Sequence, residues 1–255
     1  MKINKNLVIN NFSKNSKNYQ ENANIQKDAS KNLIKLLLDK FNNKFYKTLD
    51  LGCGIGFLTQ IVKDKSNFDK IINFDISCNM LEINQSINNQ NLFVKGDMDF
   101  LPFRNDSFDL IFSSFSMQWS QNIDFVINKL SNLLKREGVV AIALPNNESL
   151  SRLKAVSKDS GCDFYFKKMP QHKYIAQIMN NCNLQIIKEL NVKSYQEFLN
   201  PLQAIKSIKK IGANYSNSRK IIKKEKLNKF MNYNNNLEFF LLNWHISYFL
   251  AKKNN

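Results

Sequence analysis

Three alternating glycines follow a short apolar run that ends in an acid. Residues 49–57 read LDLGCGIGF and place glycine at Gly52, Gly54 and Gly56. Such a loop, between a buried strand and a helix, lets the backbone approach a bound nucleotide closely. The dinucleotide pattern GxGxxG is not met, because Phe57 stands at its third glycine position. The stretch therefore predicts a nucleotide site of another kind.

Acidic side chains around this loop indicate which nucleotide it binds. Asp50 precedes the glycines, and Asp75 and Asp97 end the next two predicted strands. A phosphate loop relies on backbone N–H groups, often with a lysine or arginine, and this loop has no cation. Three carboxylates would repel a negatively charged pyrophosphate. S-adenosylmethionine (SAM), which has a positive centre, a ribose diol and an adenine, is the predicted ligand.

The carboxyl ends of neighbouring parallel strands line one crevice, which assigns a part of SAM to each motif. Gly52 and Gly54 would contact the methionine portion. Asp75 would accept both ribose hydroxyls, and Asp97 would accept the adenine amino group. The rest of the predicted SAM set lies beside these positions, with the two methionines over the adenine: Gln26, Asp50, Ile76, Met80, Met98 and Ser113.

Strands that alternate with helices predict βαβ units and a parallel sheet around these motifs. Ser77 is the expected N-cap of the second helix. Gly138 is expected to end the helix at 122–135. The predicted strands lie at 48–51, 70–76, 91–97, 107–115 and 138–145.

The pattern changes after residue 145. Residues 148–183 are polar and predicted to be helical, and a further strand is expected within 183–195. A basic amphipathic helix is predicted at 201–211, closed by Gly212. We expect a single domain over 1–255, with an N-terminal helical segment at 1–45, a SAM-binding core at 46–147, a basic cap with one strand at 148–233, and a C-terminal strand at 234–255 that returns to the sheet.

Positive charge is concentrated in the last part of the chain. Residues 1–150 carry 18 Lys+Arg and 15 Asp+Glu, whereas residues 151–255 carry 19 and 6. The net charges of the two parts are therefore +3 and +13. A codon bias towards lysine would not segregate charge in this way. The basic part suits an acidic partner, which the sequence leaves open as a protein, a nucleic acid or a membrane surface.

The composition disfavours metal chemistry and a membrane span. The four cysteines lack CxxC spacing and there are only two histidines, so no metal site is expected. No apolar run approaches the ~18 residues that a membrane span requires. The basic start lacks the apolar region of a signal peptide, so a cytoplasmic location is expected.

The ordered motifs resemble those of class I SAM-dependent methyltransferases. The similar segments are LDLGCGIGFL, NFDIS, GDMDFLPF, SFDLIFSSFSMQW and LLKREGVVAIALP, which together span 48–145. The resemblance implies a Rossmann-like α/β fold with a seven-stranded, mostly parallel sheet in the order 3-2-1-4-5-7-6. It also implies an antiparallel last strand and a helical cap.

A closer similarity is to the malonyl-[acyl-carrier protein] O-methyltransferases of biotin synthesis. It is carried by YQENANIQ at 19–26, SMQWSQN at 116–122 and AIKSIKKIGAN at 204–214. The similarity implies a monomeric enzyme that methylates the free carboxylate of a malonyl group on an acidic acyl-carrier protein. Because this carboxylate is ionised at neutral pH, no general base is required.

Physical reasoning compatible with this similarity indicates which residues meet the acceptor. Tyr19 would close over the methyl group or donate to the carboxylate. Cations would hold the carboxylate, although each is otherwise a solvated surface charge, and Lys210 is a further candidate. The predicted catalytic residues are Tyr19, Lys209 and Arg219, and the predicted substrate pocket contains Gln118, Trp119 and Arg152.

Two other functions stay open on the sequence alone. The same fold would serve another small-molecule acceptor such as a quinone ring, although a C-methyltransferase needs a base and none is evident. Related methyltransferase-like proteins help to assemble respiratory complex I. A nucleic-acid partner is not expected, because SSFS follows the fourth strand in place of the NPPY-type motif of base N-methyltransferases.

Overall fold

A computed structural model describes residues 4–213, 222–233 and 238–254, and a seven-stranded sheet lies at its centre. The strands are β1 (Phe45–Leu51), β2 (Phe68–Asp75), β3 (Leu92–Lys95), β4 (Phe108–Ser114), β5 (Leu134–Pro145), β6 (Leu184–Phe198) and β7 (Phe240–Lys253). Their order is β3-β2-β1-β4-β5-β7-β6, and β7 is antiparallel to both of its neighbours. The predicted strand order and the antiparallel last strand are confirmed.

Helices cover both faces of the sheet. They are α1 (Lys5–Asn22), α2 (Asn24–Lys40), α3 (Phe57–Val62), α4 (Cys78–Ile87), α5 (Ile123–Leu133), α6 (Ser151–Asp159), α7 (His172–Asn181), α8 (Pro201–Lys210) and α9 (Lys224–Met231). Successive residues of a strand point to opposite faces. In β4, Leu110 and Phe112 therefore join the core beneath α2, whereas Ile111 joins the core beneath α5. Two-sided burial explains why the central strands β4 and β5 are mostly apolar.

Two predicted boundaries differ from the structure. Gly138 does not end the helix that precedes it, because α5 already ends at Leu133 and β5 begins at the next residue. The reason is a bulge: Phe108 pairs with Leu134, and regular pairing resumes only at Leu110 with Val139. The segment at 148–183 is not helical throughout, since residues 162–171 between α6 and α7 have no regular structure.

Side chains cap the N-termini of two helices, and one of these caps was predicted from the sequence. The Ser77 side chain accepts a hydrogen bond from the Met80 N–H, so Ser77 is the N-cap of α4 as predicted. Asn200 caps α8 in the same way through the Gln203 N–H. These caps fix where α4 and α8 begin beside the cavities described next.

Candidate functional site

The loop between β1 and α3 has a backbone that favours glycine. Gly52 and Gly54 have φ angles of 69° and 54°, in the left-handed region. A Cβ atom on Gly52 would lie 2.3 Å from the Cβ of Ser116, whereas nothing lies within 4 Å of a Cβ atom on Gly54. Gly52 therefore permits close packing against the loop after β4, and Gly54 keeps open space above the sheet edge.

Asp75 connects the end of β2 to this glycine loop. Its Oδ2 atom accepts from the Gly54 N–H at 2.9 Å, and its Oδ1 atom accepts from the Ser77 N–H at 2.8 Å. Burial raises the pKa of Asp75, and the two backbone donors oppose this rise. A carboxylate oxygen accepts more than one hydrogen bond, so both oxygens can also receive a ribose hydroxyl.

Asp50 has a buried carboxylate oxygen that a positively charged ligand would stabilise. Thr59 donates to its Oδ2 atom at 3.0 Å, but its Oδ1 atom is buried and has no hydrogen-bond partner among the described residues. Burial raises the pKa of Asp50 to about 8, opposed by the Thr59 hydrogen bond and assisted by the charge of Asp75. Since a buried carboxylate is costly without a partner, this wall fits the cationic part of SAM.

Asp50 predicts a pH dependence of SAM binding. Below about pH 8 the carboxyl group is protonated in the free protein, so binding a cation must first release that proton. We expect SAM affinity to rise about tenfold between pH 7 and pH 9, since one pKa unit corresponds to a factor of about ten. Calorimetry of wild type and Asp50→Asn measures this, and the difference between them removes the titration of SAM itself. An equal pH dependence in both proteins would contradict the role of Asp50.

An ion-pair cluster closes the other end of the site. Lys5, in the first turn of α1, lies 2.7 Å from an oxygen of Asp97 and 2.8 Å from an oxygen of Asp99. Burial raises the pKa of Asp99, but the hydrogen bond from Lys5 and other hydrogen bonds outweigh this effect, so the pKa is lowered. Lys5 and the Asp99 N–H both contact Oδ1 of Asp97. An adenine amino group would therefore bond to Oδ2.

These groups line a single cavity, which we call the donor cavity. Ser113 is not among its lining residues, because its Oγ atom donates to the Leu51 carbonyl beneath the glycine loop. Lys5 and Phe12 also line the cavity although no sequence motif contains them, and so does Ser116, which belongs to SMQWSQN but was not among the predicted SAM contacts. The other predicted members are brought together there: Tyr19, Gln26, Asp50, Gly52, Gly54, Asp75, Ile76, Met80, Asp97 and Met98.

A second cavity of about 270 Å³, the acceptor cavity, adjoins the donor cavity. Side chains of the segment 162–171 and of α8 form much of its wall, which is mainly apolar. The two cavities have a shared wall, defined as the residues that line both: Phe12, Tyr19, Gln26, Phe115 and Trp119. A group bound in one cavity can therefore be presented to a group bound in the other.

The polar groups of the acceptor cavity are few. Gln118 donates to the Phe115 carbonyl at 2.8 Å, and its Oε1 atom is buried without a partner among the described residues. Burial raises the pKa of Tyr19, and the charge of Asp75 adds to this effect. Tyr19 is therefore a protonated phenol that can donate but does not act as a base. Lys209, which the sequence analysis proposed as a catalytic residue, lines the cavity. Lys167 also lines it, although no sequence motif indicated this residue.

Three predicted cations are not placed at the shared wall. The guanidinium of Arg152 lies over the Phe240 ring, 5.4 Å from its centroid, and Arg152 lines neither cavity. Lys210 is exposed on α8 and also lines neither cavity. Arg219 lies outside the described residues. Within the described ranges, no cluster of metal-ligating side chains occurs and no helix is long and apolar enough to cross a bilayer.

Comparisons with known proteins agree with this geometry. The family described as "Methyltransferase domain" matches residues 49–142. The chain is 26% identical to the malonyl-[acyl-carrier protein] O-methyltransferase of Calditerrivibrio nitroreducens, over 96% of both chains. It is 29% identical to the protein of that name from Buchnera aphidicola, over 88% of this chain and 89% of the relative.

A solved structure shows the same fold. The SAM-dependent methyltransferase of Thermotoga maritima superposes with a TM-score of 0.58 at 14% identity, over 96% of this chain and 99% of that one. The donor cavity, the matching domain and the relatives along nearly the whole chain lead to one conclusion. The chain contains a methyltransferase domain, and it is an enzyme that uses SAM as its methyl donor.

Proposed function

We propose that the chain methylates the free carboxylate of a malonyl group carried on acyl-carrier protein, an early step of biotin synthesis. The observation that carries this proposal is the shared wall, which joins the donor cavity to a mainly apolar cavity that contains lysines. Such a cavity suits an acyl chain that ends in an anion. The names of these two relatives support the same acceptor.

The chemistry that this site would perform is positioning. SAM supplies an electrophilic methyl group, and the acceptor carboxylate is already ionised at neutral pH. The described residues around the acceptor cavity include no histidine, and Tyr19 keeps its proton. The aromatic side chains of the shared wall would exclude water and align the carboxylate oxygen with the methyl carbon, which is an effective source of rate enhancement.

The carrier protein would dock on the cap. Exposed lysines occur on α8 and α9, two helices that contact each other, and we take them together as one basic surface. An acidic partner would be attracted to it, and such attraction raises association rates by about 10 to 10³. We call this surface the basic cap face: Lys206, Lys209, Lys210, Lys224, Lys226 and Lys229.

Charge reversal on the basic cap face tests this docking. We expect Lys206→Glu with Lys210→Glu to raise KM for malonyl-carrier protein about tenfold or more, and less at high salt, where such charges are screened. The KM for a small malonyl-pantetheine thioester should not change, because neither residue lines a cavity. A matched control reverses two exposed lysines that follow α3, Lys63 and Lys65. Equal effects on both substrates, or in the control, would argue against docking at this face.

An acceptor panel distinguishes the proposal from the alternatives. Purified protein is incubated with methyl-labelled SAM and, in separate reactions, malonyl-carrier protein, a quinol and transfer RNA. Label in the malonyl carrier alone supports the proposed function. Label in the quinol would favour a ring methyltransferase, and binding of SAM with no transfer to any acceptor would favour an assembly role. A cytoplasmic location and a monomeric state stay predictions.

A further inference from the structure

Lys167 lies beside the shared wall. It belongs to the irregular segment 162–171 between α6 and α7, and its side chain lines the acceptor cavity. Its Nζ atom is 5.6 Å from the ring centroid of Trp119, within the range of a cation–π contact. Trp119 is part of the shared wall. The ammonium group is therefore next to the place where an acceptor atom would meet the methyl group.

The Lys167 ammonium has no anionic partner in the described part of the chain. No carboxylate of these residues lies within 4.0 Å of it, whereas Lys5 is paired with both Asp97 and Asp99. Burial lowers the pKa of Lys167 to about 8, and the positive charge of Lys5 adds to this effect. An incompletely solvated cation without a counter-charge is costly to keep. A bound carboxylate would remove that cost.

Lys167 differs in its burial from the predicted cation Lys209. Lys209 is exposed on α8 and belongs to the basic cap face, whereas Lys167 is partly buried. The contact with Trp119 holds the ammonium without neutralising it, because an aromatic ring carries no net charge. This matters for catalysis, since a carboxylate oxygen must keep enough electron density to attack a methyl group.

We propose that Lys167 holds the acceptor carboxylate beside the shared wall and thereby selects a free carboxylate over a neutral acyl group. This inference rests on the proposed function and names the group that recognises its substrate. No covalent step involves Lys167: its ammonium donates hydrogen bonds to the carboxylate, and the charge pair is lost when the neutral methyl ester forms. Loss of the pair would favour release of the product.

The ionisation of Lys167 determines how selection of the free carboxylate changes with pH. The ammonium form is present below about pH 8 and is lost as the pH rises through that value. The charged or titratable groups that line the same cavity are Tyr19 from α1, Lys209 from α8, and Cys162, Asp163 and Tyr165 from its own segment, and the charge of Lys5 acts from the donor cavity. Selection of the free carboxylate should therefore weaken at high pH in wild type and persist in Lys167→Arg, because arginine stays charged.

The experiment compares carrier-protein ligands by calorimetry in the presence of S-adenosylhomocysteine, which prevents turnover. Malonyl-carrier protein and acetyl-carrier protein are titrated into wild type, Lys167→Met, Lys167→Arg and Lys168→Met. The last variant removes the adjacent exposed lysine and is the matched control. We expect Lys167→Met to lose about 10- to 100-fold of affinity for the malonyl carrier, the range for hydrogen bonds to charged groups. Acetyl-carrier affinity and SAM affinity should not change.

Lys167→Arg should restore most of the malonyl preference, and Lys168→Met should equal wild type. A malonyl preference retained in Lys167→Met would overturn the inference, and so would a loss of SAM binding in the same variant, which would indicate a structural role. Failure of the proposed function has a different signature, because wild type itself would then bind malonyl and acetyl carriers equally. That result would remove both proposals together.

Discussion

Gly52→Ala is expected to abolish SAM binding and to destabilise the fold. An alanine at φ +69° would cost about 1–2 kcal/mol in backbone energy alone. Its Cβ atom would lie 2.3 Å from the Cβ of Ser116, and Ser116 cannot yield easily because its Oγ atom donates to the Leu51 carbonyl. Relief of this overlap would cost about 1–3 kcal/mol more and would displace the loop that we predict to contact SAM. Thermal unfolding and calorimetric SAM affinity measure the two effects.

Gly54→Ala is the matched control for this experiment. Its backbone angle is also left-handed, but a Cβ atom there would meet nothing within 4 Å. We therefore expect only the backbone cost of about 1–2 kcal/mol in stability. SAM binding should still fall, because the new methyl group would project into the donor cavity. A Gly52→Ala protein with wild-type stability and SAM affinity would refute the packing role assigned to Gly52.

Asp75→Ala should weaken SAM binding by about 2–3 kcal/mol, which is roughly a 30- to 150-fold loss of affinity. The variant removes the acceptors that we predict for both ribose hydroxyls, and it removes the hydrogen bond that Oδ2 receives from the Gly54 N–H. Isothermal calorimetry with SAM is the direct measurement. Binding to S-adenosylhomocysteine should fall by the same factor, because the ribose is common to both molecules.

The control for Asp75 lies at the other end of the same strand. Asp69 is an exposed acid near the start of β2, so Asp69→Ala changes the same charge away from the donor cavity. It should bind SAM as wild type does. If Asp75→Ala also retained wild-type affinity, Asp75 would have to be removed from the site.

The sheet and the donor cavity could be predicted because their signals are local. Strands β1 to β5 each contain a short apolar run, and Asp50, Asp75 and Asp97 lie within two residues of strand ends in chain order. Parallel strands bring such ends to one edge whatever lies between them. The position of Asp75 next to Gly54 in space follows from that rule, although 21 positions separate them in sequence.

The groups that the sequence did not reveal are brought in by packing over long distances. Lys5 reaches Asp97 across 92 positions, from a helix whose polar sequence contains no motif around that lysine. Lys167 lies in an irregular segment, so no helical or strand periodicity marks the side that faces the cavity. The prediction that Arg152 lines the substrate pocket was wrong, because this partly buried residue of α6 places its guanidinium over the Phe240 ring and does not reach the cavity.

Charge segregation along the chain has a partial structural explanation. The basic excess of residues 151–255 includes exposed lysines of α8 and α9, and α8 also supplies part of the acceptor cavity wall. A partner drawn to this face would therefore arrive next to the cavity that its acyl group must enter. The sequence alone established the excess but not this adjacency.

The most direct test of the shared wall as a site of carboxylate methylation is the transfer of a labelled methyl group from SAM to malonyl-carrier protein, with acetyl-carrier protein as the comparison. The two substrates share carrier and thioester and differ in the free carboxylate. We expect label on the malonyl form alone, released as methanol by mild base because the product is a methyl ester. Equal labelling of both forms, or no labelling of the malonyl form while SAM still binds, would contradict the proposed function.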